Sequence, residues 1–107
     1  MIISHLEPKI VWGYFEEICK IPRLSKDEEL IRNFLKDFGK KNNLGVKEDK
    51  VGNILITKEA DPGYEDRKPI VLQSHMDMVG EKDADTAHNW KKDPIIPIIE
   101  DGWVTAK

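Results

Sequence analysis

The feature that most constrains the fold is the segment of residues 69–82, in which a short apolar run leads directly into polar residues. Its first half contains three consecutive aliphatic residues at positions 70–72. An unbroken run of this kind is typical of a strand buried on both faces, in a parallel or mixed sheet covered by helices. The run ends at Gln73 and Ser74, and His75 and Asp77 follow. The sequence therefore predicts a central strand that carries two polar side chains at its carboxyl end.

The spacing of His75 and Asp77 favours a metal-binding role. In open α/β sheets, ligands bind beyond the carboxyl ends of the strands. Because side chains alternate along a strand, residues i and i+2 leave its end on the same side. Imidazole is a common zinc ligand, and a carboxylate can accept the other ring N–H and so fix the tautomer and the ring plane. We interpret His75 as a metal ligand and Asp77 as its orienting partner; a chance His-x-Asp triplet with no metal is the alternative.

Composition limits the class of protein. The 107 residues, 39% hydrophobic and 35% charged, fit one domain of modest size with a lean core. The net charge of -3 is mild and both signs are interleaved, so we expect no nucleic-acid partner. No apolar stretch approaches membrane-spanning length, and the first residues lack a secretory signal, so we expect no membrane partner. Cys19 is the only cysteine, which excludes an intrachain disulfide and favours a reducing, cytoplasmic location. Its only basic neighbour is Lys20, so we expect a buried, inert thiol.

Two helices are predicted at the N-terminal end. The first begins at Pro8 and ends before Pro22. The second covers about residues 26–41, because Ser25 and Glu28 form a capping-box pattern and Asn42-Asn43 tolerates a left-handed helix end. Each helix carries an apolar stripe that we expect to face the core. The stripes are Ile10, Val11, Tyr14, Phe15 and Ile18 in the first helix, and Leu30, Ile31, Phe34, Leu35 and Phe38 in the second.

Short strands and loops follow the helices. Residues 45–49 and 54–57 are predicted strands joined by a turn at Gly52-Asn53, and residues 58–68 form a loop. The charged loop of residues 80–93 contains His88, a second ligand candidate for which a solvated position is the alternative. Residues 95–99 and 103–105 form a hairpin around Asp101-Gly102, with Pro97 marking an edge or irregular strand. The fold class predicted is α/β, with two N-terminal helices packed on a small mixed sheet.

Several segments, in order along the chain, resemble the N-terminal part of aminoacyl-histidine dipeptidases. These enzymes are also called Xaa-His or carnosinase-like dipeptidases, and they are part of a wider group of two-zinc exopeptidases. The joint pattern is more specific than the bare His-x-Asp triplet. The matching segments are Trp12 with residues 15–22, Ser25 with Glu28-Glu29, residues 49–56, residues 68–79, and residues 92–95 with 101–104.

The resemblance implies a function and a domain assignment. Residues 1–107 would be the N-terminal part of an α/β/α catalytic metallopeptidase domain. His75 would bind one metal of a co-catalytic zinc pair, with cobalt or manganese as alternatives, and Asp77 would act in catalysis by orienting His75. The two metals would share an activated water, and a glutamate would act as general base on a small Xaa-His dipeptide. The full-length protein would be cytoplasmic and a homodimer.

The family's bridging aspartate, glutamate pair, second-metal ligands and lid domain have no counterpart in this sequence. The adjacent glutamates Glu16-Glu17 and Glu28-Glu29 are interpreted as solvated helix surface. We therefore expect the chain to be part of a longer dipeptidase and to be inactive alone. The alternatives are a tripeptidase or deacylase of the same clan, or a non-catalytic interaction domain in which His75 and Asp77 are vestigial.

Overall fold

The computed structural model describes residues 2–107, which form two helices and two β-hairpins. The elements are α1 (Lys9–Cys19), α2 (Glu29–Lys41), β1 (Gly45–Glu48), β2 (Ile54–Thr57), β3 (Pro97–Glu100) and β4 (Trp103–Ala106). The α/β class is confirmed. The strands, however, form two separate antiparallel pairs, β1–β2 and β3–β4, in place of the single mixed sheet that was predicted.

The chain divides into two compact units. The first consists of the residues up to Ile31 together with Asp77–Lys107, and it contains α1 and the β3–β4 hairpin. The second is Arg32–Met76, and it contains most of α2 and the β1–β2 hairpin. The second unit is therefore inserted in sequence between the two halves of the first.

In the first unit, α1 buries a different side from the one predicted. Ile10 is 69% exposed and Val11 is 58% exposed, and Tyr14 and Phe15 are also exposed. The buried residues of α1 are instead Glu16 and Cys19. The reason is that the chain before α1 lies on that side: the fully buried Ile3 is held there through hydrogen bonds to Glu16. The predicted core-facing stripe is wrong for those four residues of α1.

The β3–β4 hairpin forms as predicted. Asp101 and Gly102 connect the strands with φ values of 49° and 80°, the left-handed pair that a two-residue type I′ turn requires. Glu100 pairs with Trp103 on either side of the turn. Pro97 is the first residue of β3, a position where its missing N–H removes no central ladder bond.

In the second unit, α2 is linked to β1 by packing and by charge. A Cβ added at Gly39 would overlap the side chain of Val46, so the helix and the strand approach closely there. Glu48 pairs with Arg32 at 3.4 Å and with Lys36 at 2.8 Å. The helix ends as predicted, because Asn43 adopts φ 55° after its last turn.

The turn between β1 and β2 is organised by Asp49, a residue that was not singled out in the sequence. Its carboxylate accepts the N–H groups of Val51 and Asn53 at 3.0 and 2.9 Å, and the Asn53 side-chain amide at 2.7 Å. These bonds lower the pKa of Asp49, with the Asn53 amide contributing most. Gly52 supplies the left-handed conformation at φ 91°, as the predicted turn requires.

The predicted central strand is the clearest difference from the sequence. Ile70, Val71 and Leu72 are 85%, 81% and 93% exposed and have no regular secondary structure. A central strand needs a partner strand on each side and cover on both faces. Throughout residues 2–107, β1 pairs only with β2 and β3 only with β4, so this segment has neither partner. The prediction of a buried strand at residues 70–72 is therefore wrong for the chain as described.

Candidate metal centre

His75 and Asp77 lie at the junction of the two units in sequence. His75 is exposed and falls in the second unit, whereas Asp77 is half-buried and falls in the first. Within the described chain, no group of three or more histidine, cysteine, aspartate or glutamate side chains could hold a metal ion. A catalytic zinc site typically uses three protein ligands and a water. An accessible imidazole two residues from a carboxylate thus fits one ligand position of such a site and does not complete it.

The Asp77 carboxylate is held by a serine from the other half of the first unit. The Ser25 hydroxyl donates to Oδ2 of Asp77 at 2.5 Å. The Ser25 hydroxyl oxygen also lies 3.3 Å from the carbonyl oxygen of Met78. Ser25 and Asp77 are 52 residues apart, so this hydrogen bond is a tertiary contact and not a local turn.

Backbone hydrogen bonds fix the segment around this contact. The Ser25 N–H donates to the Met78 carbonyl at 3.0 Å, and the Met78 N–H donates to the Arg23 carbonyl at 2.8 Å. Leu24 and Met78 form a parallel bridge. Asp77 therefore sits on a short stretch of paired backbone, which limits the positions that its side chain can reach.

The capping box predicted at Ser25 does not form. Helix α2 begins at Glu29, four residues later, because a turn intervenes in which the Asp27 N–H donates to the Leu24 carbonyl at 2.8 Å. Lys26 occupies the left-handed region in this turn, with φ 71°. The turn directs Ser25 away from the helix N-terminus and into the contact with Asp77.

Glu16 was predicted to be solvated helix surface, and this prediction is wrong because the residue is only 6% exposed. Its carboxylate accepts the N–H groups of Ile2, Ile3 and Ser4 at 2.7, 3.1 and 2.7 Å. These bonds, that of Ile2 first, lower the pKa of Glu16 from 4.5 to about 2 against the opposing effect of burial. The carboxylate anchors the N-terminal segment and is not a candidate general base.

The prediction of solvated helix surface holds for Glu17 and Glu29, which are exposed, but not for Glu28, which precedes α2. Glu17 is exposed and forms an ion pair with Lys20 at 2.5 Å, as expected for helix surface. Glu28 is half-buried and accepts the N–H of Lys26 at 2.9 Å, and Glu29 is the acidic residue in the first turn of α2.

His88 was the remaining ligand candidate, and Cys19 was predicted to be inert. Cys19 is 4% exposed, and burial raises the pKa of its thiol, which agrees with the inert role that was predicted. His88 is half-buried and lies edge-on against Trp90, with the ring centroids 4.5 Å apart. His88 is therefore packed against an indole ring, whereas the two alternatives considered from the sequence were a metal ligand and a solvated side chain.

No helix within residues 2–107 has the length and apolar character needed to cross a membrane.

Comparison with known proteins shows what this chain resembles. It is 46% identical over 105 residues to a cytosol non-specific dipeptidase of Escherichia coli (strain K12), an alignment that covers 98% of this chain and 22% of that protein. It superimposes on the crystal structure of an aminoacylhistidine dipeptidase from Vibrio alginolyticus with a TM-score of 0.93 and 43% identity. That superposition covers all of this chain and 22% of the Vibrio chain.

The chain thus spans about a fifth of the length of the relatives that it matches. No family model matches the sequence. The identity to the two dipeptidases and the structural match confirm the resemblance that was found in the sequence.

Proposed function

We propose that the protein containing this chain is a metal-dependent dipeptidase that acts on Xaa-His dipeptides. The observation that carries the proposal is the 46% identity to a dipeptidase along nearly the whole chain. Residues 1–107 would be the N-terminal part of the catalytic domain. The chain covers only 22% of the length of each of the two relatives. We therefore place the remaining metal ligands, the general base and a lid domain in parts of the full-length protein outside residues 1–107.

The residues of this chain would supply one ligand and its support. His75 would offer a ring nitrogen to a zinc ion, or to cobalt or manganese in its place. Asp77 would accept the other ring N–H and so hold the tautomer and the ring plane. When bound, a zinc pair supplies Lewis-acid activation of the scissile carbonyl and of a water molecule. The exposure of His75 supports this role, because a ligand must be reachable.

The names of the two relatives favour a second candidate specificity. One is called a non-specific dipeptidase and the other an aminoacylhistidine dipeptidase, and each is more than 40% identical to this chain. We therefore propose a broad dipeptidase as the runner-up, with a tripeptidase or a deacylase of the same clan after it. A non-catalytic interaction domain in which His75 and Asp77 are vestigial is the rival from another class.

The proposed setting is the cytoplasm and the proposed assembly is a homodimer of the full-length protein. The word cytosol in the name of the Escherichia coli relative supports the location. A single, buried cysteine agrees with a reducing compartment. The homodimer follows from the resemblance alone, and sedimentation of the full-length protein tests it.

The test begins with the natural reading frame that contains this chain. The full-length protein, loaded with zinc, is assayed on β-alanyl-histidine, glycyl-histidine, dipeptides without histidine, a tripeptide and an N-acyl amino acid. Metal-dependent release of histidine from the first two substrates is expected, and the 107-residue chain alone should release none. A reading frame that ends at Lys107, or a metal-loaded protein that cleaves none of these substrates, would overturn the proposal.

A further inference from the structure

We propose that Ser25 is a positioning residue that holds the Asp77 carboxylate in the orientation needed to support His75. The inference rests on the proposed function and adds a member to the site that neither the sequence spacing nor the resemblance had assigned. Its basis is the hydrogen bond from the Ser25 hydroxyl to Oδ2 of Asp77.

The Ser25 hydroxyl has one proton and two acceptors within reach. Oδ2 of Asp77 is 2.5 Å away and the Met78 carbonyl is 3.3 Å away. Hydrogen bonds from a hydroxyl to a carboxylate are short, about 2.5–2.7 Å, and roughly twice as strong as those to a neutral acceptor. The shorter distance and the negative charge of the carboxylate both indicate that the Ser25 hydroxyl donates its hydrogen bond to Asp77 and not to the Met78 carbonyl.

The hydroxyl is itself held in place. The Ser25 N–H bonds to the Met78 carbonyl, and the Met78 N–H bonds to the Arg23 carbonyl, so the serine backbone is tied to the residue next to Asp77. The Asp77 side chain thus meets a donor whose position is set by paired backbone and not by a flexible side chain. Ionised carboxylates accept about four hydrogen bonds, so the bond from Ser25 is compatible with a second bond from an imidazole N–H.

Sequence reasoning offered a different role for Ser25, that of helix cap. The turn at Lys26, with φ 71°, separates Ser25 from the start of α2 and leaves its hydroxyl for Asp77. The left-handed conformation is unfavourable for a lysine, because its Cβ lies too close to the following carbonyl oxygen. The hydrogen bond between Ser25 and Asp77 is one of the contacts made around this turn.

The experiment compares variants of the full-length protein. They are Ser25→Ala, Ser25→Thr, Asp77→Asn and the double variant Ser25→Ala/Asp77→Asn, with Thr105→Ala as the matched control because it also removes an exposed hydroxyl. The affinity for zinc is measured by competition with a chromogenic chelator, and the ring-nitrogen NMR shifts of His75 report its tautomer. The thermal midpoint of the metal-free protein reports any general loss of stability.

Ser25→Ala is expected to weaken zinc binding about threefold to tenfold, less than the roughly 10–100-fold typical of a group that contacts the ligand directly. Ser25→Thr, which keeps the hydroxyl, should restore wild-type affinity, and Thr105→Ala should not change it. Because Ser25 acts through Asp77, the double variant should bind zinc no more weakly than Asp77→Asn alone.

Two results would overturn the inference while leaving the proposed function intact. One is wild-type zinc affinity and His75 tautomer in Ser25→Ala, even if its thermal midpoint falls. The other is a double variant whose loss equals the sum of the two single losses in free energy. If instead the wild-type protein neither binds zinc nor cleaves dipeptides, the proposed function fails first and this inference fails with it.

Discussion

At the scale of single residues, Glu16 makes the stability of the fold depend on pH. Its pKa is about 2 in the folded chain and near 4.5 when unfolded. The unfolded chain therefore takes up a proton first as the pH falls. The stabilisation from Glu16 should be complete above about pH 4.5 and should be lost progressively as the pH falls towards 2. Urea unfolding of wild-type and Glu16→Gln between pH 7 and pH 2 measures this: the difference in unfolding free energy should shrink over that range.

Glu17 provides the matched control for this experiment. It is the adjacent residue, but it is exposed and its ion pair with Lys20 is on the surface. Exposed pairs of this kind contribute little to stability. Glu17→Gln should therefore follow the wild-type pH dependence, and a Glu16→Gln variant that does the same would disprove the anchoring role of Glu16.

His75 and Asp77 give a second prediction, for the full-length protein. Asp77→Asn presents an amide donor where an acceptor is required, so it should lower zinc affinity and kcat/KM about 10–100-fold. His75→Ala removes a ligand and should lower both further. Metal content and kcat/KM are the measurements. Wild-type values for Asp77→Asn would exclude the orienting role, and wild-type values for His75→Ala would exclude the metal site.

The residue scale also shows where prediction from sequence fails. The inert role of Cys19 followed from its neighbours, because a buried thiol without an activating base needs no distant partner. Ser25 and Glu16 were misinterpreted because their partners are not local. One bonds a carboxylate 52 residues away, and the other bonds the N–H groups of the chain before α1. The roles of His75 and Asp77 stay predictions.

At the scale of the elements, two helix glycines should respond in opposite ways to the same substitution. Gly13 in α1 has nothing within 4 Å of an added Cβ, so Gly13→Ala should raise the unfolding free energy by about 1 kcal/mol, the difference in helix propensity. At Gly39 in α2 the added methyl would overlap Val46. Overpacking of this kind costs about 1–3 kcal/mol, which exceeds the gain in propensity of about 1 kcal/mol.

Chemical denaturation of the two alanine variants measures these changes. Gly39→Ala is expected to unfold at a lower denaturant concentration than wild type and Gly13→Ala at a higher one. A Gly39→Ala variant as stable as Gly13→Ala would mean that α2 and β1 do not pack as closely as described.

The hairpins were predictable and the strand at residues 70–72 was not, for a physical reason. Asp101-Gly102 fixes its turn through the backbone conformations that its own residues favour. The burial of an apolar run depends instead on partner strands and covering helices elsewhere in the chain. The sequence of Ile70, Val71 and Leu72 fits a buried strand, but no described strand lies beside it.

At the scale of the whole molecule, this exposed run should make the 107-residue chain associate with itself. Three adjacent aliphatic residues more than 80% exposed form an apolar segment of the kind that pairs with other chains. Val71→Lys should therefore reduce the concentration-dependent light scattering of the chain. Val51→Lys is the matched control, because Val51 is 82% exposed but lies in a turn. Equal effects of the two substitutions would assign the association to general hydrophobicity and not to this segment.

The insertion of Arg32–Met76 between the two halves of the first unit has a consequence for the order of folding. The contact between Ser25 and Asp77 closes a loop that contains the whole second unit, and closing a loop of disordered chain costs entropy that grows with its length. If α2 and the β1–β2 hairpin form first, much of that chain is already ordered when the loop closes. That order of folding lowers the entropy cost of assembling the backbone pairing that holds Asp77. A substitution such as Gly39→Ala, remote from Asp77 in sequence, would delay the formation of the site without touching any of its residues.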